Sequence, residues 1–162
     1  MDTLDIGPKN VPPQGEMDMV VGLLGGDALF ARPVRDRLDA HEIILSGFPN
    51  KALRSLVRNV PVMQQPDVME KALGISLRTF QRRSKADAVR PLSQEQSGRT
   101  WKFAEILARA TRILGSQTEA EAWLSRPATG LNQQRPIDLL ATTAGVEIVE
   151  DHLERLEYGV YA

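Results

Sequence analysis

Apolar residues recur at spacings of three and four along most of the chain, and no useful stretch alternates with period two. This pattern predicts an all-α fold. Residues 17–24 form a short apolar run closed by Gly25-Gly26, which reads as a helix with a glycine stop. Pro33 stands where the next helix can begin, and Val34, Leu38 and Leu45 follow a helical rhythm. Pro49 opens another helix, with Leu53, Leu56, Val57 and Val60 on one side and Lys51, Arg54 and Arg58 on the other; Pro61 ends it. Gln65 or Pro66 starts the helix that carries Val68, Met69, Ala72 and Leu73.

In the second half, Ser93 followed by Gln96 is a capping box. It opens a long helix to Leu114 whose inner face is Trp101, Ala104, Ile106, Leu107, Ala110 and Ile113, and Gly115 stops it. Thr118 is the expected cap of a short helix with Ala122, Trp123 and Leu124, which Pro127 breaks. After a loop at 132–135, Pro136 begins Ile-Asp-Leu-Leu-Ala, and a last helix covers 144–156 with Val146, Val149, Leu153 and Leu156 inward. Trp101, Trp123 and the methionines at 17, 19, 63 and 69 fall on apolar faces and read as core.

Residues 73–83 read Leu-Gly-Ile-Ser-Leu-Arg-Thr-Phe-Gln-Arg-Arg. Gly74 permits a tight turn, Ser76 caps a new helix, and Leu77 and Phe80 point inward. Arg78, Thr79, Gln81, Arg82 and Arg83, with Lys85 beyond them, cover the remaining faces. That is the build of a helix-turn-helix, whose second helix enters a major groove. The side chains suit the task, since Arg pairs with guanine edges, Gln with adenine edges, and Thr or Lys with phosphates. A helical hairpin with a solvated basic face would carry the same residues.

The chain has 162 residues, 42% hydrophobic and 25% charged, which fits one ordinary globular domain or two small ones sharing a core. No apolar run approaches the roughly 20 residues of a membrane helix, and the first residues lack the basic start and apolar core of a signal peptide. The absence of cysteine excludes disulfides and thiol catalysis and agrees with a cytoplasmic protein. Only His41 and His152 are candidate acid–base groups for neutral pH, and nothing in the sequence links them. Residues 22–26 lack the Gly-Lys-Ser/Thr ending of a phosphate loop. Neither an enzyme, a metal site nor a cofactor is expected.

A net charge of −1 argues against a surface that binds nucleic acid all over. The distribution is uneven, however. Arg78, Arg82, Arg83, Lys85 and Arg90 face Asp87 alone, whereas Glu147, Glu150, Asp151, Glu154 and Glu157 face Arg155 alone. A basic and an acidic segment in one small chain point to two surfaces with two partners, although solvated helix faces produce the same pattern.

The order of these pieces resembles the Xre antitoxins of RES–Xre toxin–antitoxin pairs, within the wider MbcA/ParS/Xre antitoxin family. The resemblance rests on the 73–83 motif, on Pro91-Leu-Ser-Gln-Glu-Gln-Ser, on Ala122-Trp-Leu, on Arg135-Pro-Ile-Asp-Leu-Leu-Ala-Thr and on Glu157-Tyr-Gly-Val-Tyr-Ala, and it spans roughly 45–162. It implies a double role: neutralising a cognate RES toxin, an NAD-degrading relative of ADP-ribosyl transferases, and repressing the shared operon. Such antitoxins cover the toxin's active-site entrance with their C-terminal half. One departure stands out. Many helix-turn-helix proteins have a small residue four before the turn glycine, where the helices approach; here it is Glu70, which predicts a more open or rotated helix pair.

With that role in view, the chain divides into a flexible tail (1–16), a helix-turn-helix and dimerisation domain (17–92) and a helical toxin-binding domain (93–162). Arg78, Thr79, Gln81, Arg82, Arg83 and Lys85 are the expected contacts to operator DNA. Glu150, Glu154, Glu157, Tyr158, Val160, Tyr161 and Ala162 are the expected contacts to the toxin: two tyrosines, a flexible glycine and an acidic lead-in make a plug for a pocket built for anionic NAD. The same tail could instead dock on its own core. The apolar helices at 17–24 and 33–45 exceed what a minimal helix-turn-helix needs and are the expected homodimer interface, with a larger toxin–antitoxin assembly built upon it. No membrane partner is expected. The competing reading is a helix-turn-helix regulator whose C-terminal half dimerises or senses a ligand, without a toxin.

Overall fold

The computed structural model describes residues 13–85 and 90–159, and it is helical, without strands among the described residues. The helices are α1 (Pro13–Leu23), α2 (Arg37–Ser46), α3 (Asn50–Asn59), α4 (Pro66–Leu73), α5 (Leu77–Lys85), α6 (Gln94–Leu114), α7 (Gln117–Leu124), α8 (Pro136–Leu139) and α9 (Thr143–Glu157). Short 3-10 turns occupy Asp27–Leu29, Pro61–Gln64 and Thr129–Leu131. None of the described helices is long and apolar enough to cross a membrane.

The long helix α6 is the axis of the fold. Its capping box forms as the sequence predicts, with Ser93 accepting from Gln96 N and the Gln96 side chain accepting from Ser93 N. α1, α2, α4, α7 and α9 all pack against it. Trp101, Phe103, Ala104, Ile106, Leu107 and Ala110 are buried beneath them. One continuous core joins the two halves, from Val20 and Leu24 in α1 to Val149 and Leu153 in α9. Phe48 lies edge-on to both Phe30 and Trp101, with centroids 5.3 and 6.5 Å away.

Four local expectations are corrected. Residues 13–16 open helix α1 instead of belonging to a tail, and Glu16 pairs with Arg112 at 3.0 Å. Pro33 does not start a helix. α2 begins at Arg37 because the Asp36 carboxylate accepts the Asp39 N–H at 2.9 Å, meeting a first-turn donor that proline leaves bare. For the same reason Ser116, not Thr118, caps α7: its hydroxyl accepts from Glu119 N at 3.1 Å. Glu70 is exposed, and Val68, Met69, Ala72 and Leu73 take the buried side of α4, so its carboxylate imposes no opening on the helix pair.

The ends of α8 and α9 meet closely. A Cβ on Gly145 would clash with the Leu139 carbonyl oxygen, so only glycine fits, and Thr142 caps α9 by accepting from the Gly145 N–H at 3.0 Å.

Candidate nucleic-acid and partner interfaces

The turn between α4 and α5 follows its sequence. Gly74 adopts the left-handed conformation (φ 69°), and its N–H closes α4 onto the Glu70 carbonyl. The Ser76 hydroxyl accepts from Thr79 N at 3.1 Å and starts α5. Ile75 is buried, and Leu77 and Phe80 are half-buried against the core. α5 therefore packs by one edge, and no residue in it is fully buried.

The expected DNA contacts separate into two groups. Arg78, Gln81, Arg82 and Lys85 are exposed and, at i, i+3, i+4 and i+7, share one face of α5. No ion pair among the described residues involves Arg78, Arg82 or Lys85. Thr79 and Arg83 lie off that face. The Thr79 hydroxyl accepts from Ser76 Oγ at 3.0 Å, and Arg83 Nη1 donates to the Arg90 carbonyl at 2.8 Å. The Arg83 carbonyl in turn accepts from Asn50 Nδ2, which fastens the end of α5 to α3. Arg83 holds the frame of the helix, and the four exposed residues form its free face.

The acidic helix α9 packs against α6 and α8. The structure turns two of its expected partner contacts inward. Glu150 accepts from Lys102 at 2.8 Å, and Glu157 accepts from Arg112 at 2.7 Å and from Arg109 at 3.3 Å. The Arg112 guanidinium, followed by that of Arg109, holds the Glu157 carboxyl below the usual carboxylate range, although partial burial opposes the shift. Glu154 is exposed, as is Tyr158, with 72% of its surface in solvent. Val160, Tyr161 and Ala162 lie outside the described residues.

What faces solvent on α9 is a stripe of Glu147, Ile148, Asp151, Glu154, Arg155 and Tyr158. Ile148, 48% exposed, escaped the sequence reading because its neighbours Val146 and Val149 fill the inward rhythm. The signal was present in its phase: an apolar residue one step off the buried stripe has no core to enter. His152 half-enters the core and stacks on Trp123, with rings 2° from parallel and centroids 6.1 Å apart. Burial, aided by Arg155, pushes its pKa below the ordinary histidine value.

The helix-turn-helix and α8 are tied together at the surface. Arg135 and Lys71 both bind Asp138 at the start of α8, at 2.8 and 2.6 Å, and Arg135 also reaches Asp67 of α4 at 3.1 Å. Hydrogen bonding from Arg135 and then Lys71, outweighing a smaller burial effect, lowers the Asp138 pKa to about 2.

Comparison with known families divides the chain along the same geometry. Residues 39–105 match the antitoxin Xre-like helix-turn-helix domain, and residues 109–159 match the antitoxin Xre/MbcA/ParS C-terminal toxin-binding domain. The two matches meet inside α6. Three curated proteins named "Antitoxin Xre" are similar to the chain. That of Pseudomonas putida is 33% identical over 85 residues, 52% of this chain and 52% of its own length. That of Yersinia enterocolitica is 33% identical over 93 residues, 57% of this chain and 62% of its own length. That of Photorhabdus laumondii is 26% identical over 105 residues, 64% of this chain and 69% of its own length. The matched region thus spans about half of the first relative and less than two thirds of the second.

Proposed function

We propose that this chain, which belongs to the Xre/MbcA/ParS antitoxin family, is the antitoxin of a toxin–antitoxin pair and represses its own operon. Its toxin is a RES-domain enzyme that degrades NAD, and it covers that enzyme's active site with α9 and the segment that follows. The observation that carries this reading is the division of labour around α6: a basic exposed face on the second helix of the helix-turn-helix, an acidic exposed face on α9, and one core beneath both. The curated relatives named Antitoxin Xre support it, as does the match of residues 109–159 to a toxin-binding domain.

Three refinements follow from the geometry. Contacts to operator DNA fall to Arg78, Gln81, Arg82 and Lys85. The toxin-facing surface is Glu147, Ile148, Asp151, Glu154 and Tyr158 with residues 160–162, while Glu150 and Glu157 support it from beneath. The homodimer interface narrows as well. Val20, Val21, Leu23 and Leu24 of α1 are buried within the subunit, whereas Leu38 and Leu45 of α2, one heptad apart, are 66% and 48% exposed. We assign dimerisation to α2.

The test is co-expression with the toxin gene of the same operon, following growth and cellular NAD. Protection with NAD held at control levels supports the reading; loss of NAD despite abundant folded protein overturns it.

A further inference from the structure

A groove of about 430 Å³ opens between the end of α6, α7, the loop after α7 and α9. Its floor is apolar, formed by Leu114, Trp123, Pro127 and Leu156. Arg126 and Arg155 stand at its sides, both exposed, and neither enters an ion pair among the described residues. This is the reverse of the rest of the α9 surface, where Glu147, Asp151 and Glu154 set a negative field.

The groove is held open by its own framework. The loop is closed by Ala128 N to Gln134 O at 3.1 Å and Gln133 N to Ala128 O at 2.9 Å, and Leu131 anchors it in the core. Gly130 faces the His152 ring, and a Cβ there would lie 2.7 Å from it, so only a residue without a side chain leaves room. His152 is fixed from the other side by its stack on Trp123. Its ring nitrogens make no hydrogen bond among the described residues, so an N–H remains for an incoming acceptor.

We propose that this groove is a second docking site for the toxin, bordering the α9 stripe at Arg155 but distinct from its carboxylates, and that it receives an acidic segment of the toxin carrying one aromatic or large aliphatic side chain. The proposal rests on the antitoxin reading above. The volume suits one such side chain against Trp123 and Leu156. Two guanidiniums without partners beside an apolar floor select carboxylates flanking it, since guanidinium and carboxylate pair by bidentate hydrogen bonds. The groove also lies wholly within 109–159, the region matching a toxin-binding domain. An apolar anchor between charge pairs is the arrangement that gives long residence, whereas the outer stripe chiefly guides encounter.

The experiment measures binding of the full-length protein to the purified toxin of its operon by calorimetry, with the wild type and the double variant R126E/R155E. Both arginines are exposed, so the double variant should keep the wild-type melting curve. Affinity should fall about tenfold to thirtyfold, mostly through faster dissociation. The loss should persist at about 0.5 M salt, where long-range steering is screened. Unchanged affinity in the double variant overturns the groove and leaves the antitoxin reading standing. Absence of wild-type binding overturns that reading and the groove with it. A change in oligomeric state without toxin, read by light scattering, assigns the groove to a second copy of the chain and also overturns the proposal.

Discussion

Arg112 on α6 and Glu157 at the end of α9 lie 2.7 Å apart, with 16% and 19% of their side chains exposed, and Arg112 also holds Glu16 of α1 at 3.0 Å. One guanidinium thereby joins three helices and fixes the direction in which the chain leaves α9. Removing it strands a half-buried carboxylate. Arg112→Ala should destabilise the protein by about 1–3 kcal/mol, read as a lower urea midpoint at unchanged slope. Glu157→Lys should likewise lower stability and not merely slow toxin association, because this carboxylate faces inward.

The exposed face of α5 predicts a separation of function. Arg78→Ala with Arg82→Ala should abolish specific operator binding, since each lost contact costs about 1–3 kcal/mol and a dimer loses them twice. Neither side chain is buried, so thermal stability should stay within about 0.5 kcal/mol and toxin neutralisation should be intact. Fluorescence anisotropy with operator DNA at fixed salt is the measurement, and Arg83→Ala is the informative contrast: it should loosen α5 as well as weaken binding, because its guanidinium holds the Arg90 carbonyl.

Gly145→Ala tests the close approach of α8 and α9. The added methyl would meet the Leu139 carbonyl, a backbone atom that cannot swing aside. A loss of about 3 kcal/mol is expected, together with weaker toxin binding as α9 shifts. A variant as stable as wild type would show that the α8–α9 junction yields freely.

Acid stability should report the Asp138 clasp. Its folded-state pKa, about 2, is below the ordinary value of 3.8, so its contribution is complete above that ordinary value and is lost as pH falls toward 2. Asp138→Asn should flatten the stability profile in that window. His152 works the other way in charge but with the same sign in pH. Burial favours its neutral form, so stability is full above the ordinary histidine value of 6.5 and declines as pH drops below it. Proton NMR should find its titration shifted to the acid side.

Deleting residues 158–162 should leave the fold and operator binding intact and eliminate neutralisation, because Tyr158 is exposed and the segment gives α9 only two closing backbone hydrogen bonds, Tyr158 N to Glu154 O and Gly159 N to Leu156 O. Growth and NAD in cells co-expressing the toxin are the readout. Full protection by the truncated chain would move the inhibitory surface to the α9 stripe and the groove beside it.

Elements whose signals are local were legible from the order of residues alone. The period of three and four, Gly74, Ser76, the Ser93–Gln96 box and the proline stops each act within one turn of helix, so α3 to α6 and the face presented by α5 were readable without a partner in space. The competition among caps was less legible: Asp36 and Ser116 won over Pro33 and Thr118 by meeting first-turn N–H groups that the alternatives leave unpaired. Charge was the least legible. Glu150, Glu154 and Glu157 look alike in the acidic run, yet only packing against α6 brings Lys102, Arg109 and Arg112 within reach of two of them and leaves the third in solvent. The same holds for α1, whose apolar run fits a dimer interface or a core equally well until α6 is seen to cover it. Helical periodicity says that a residue has a side, and only the tertiary structure decides what stands opposite that side.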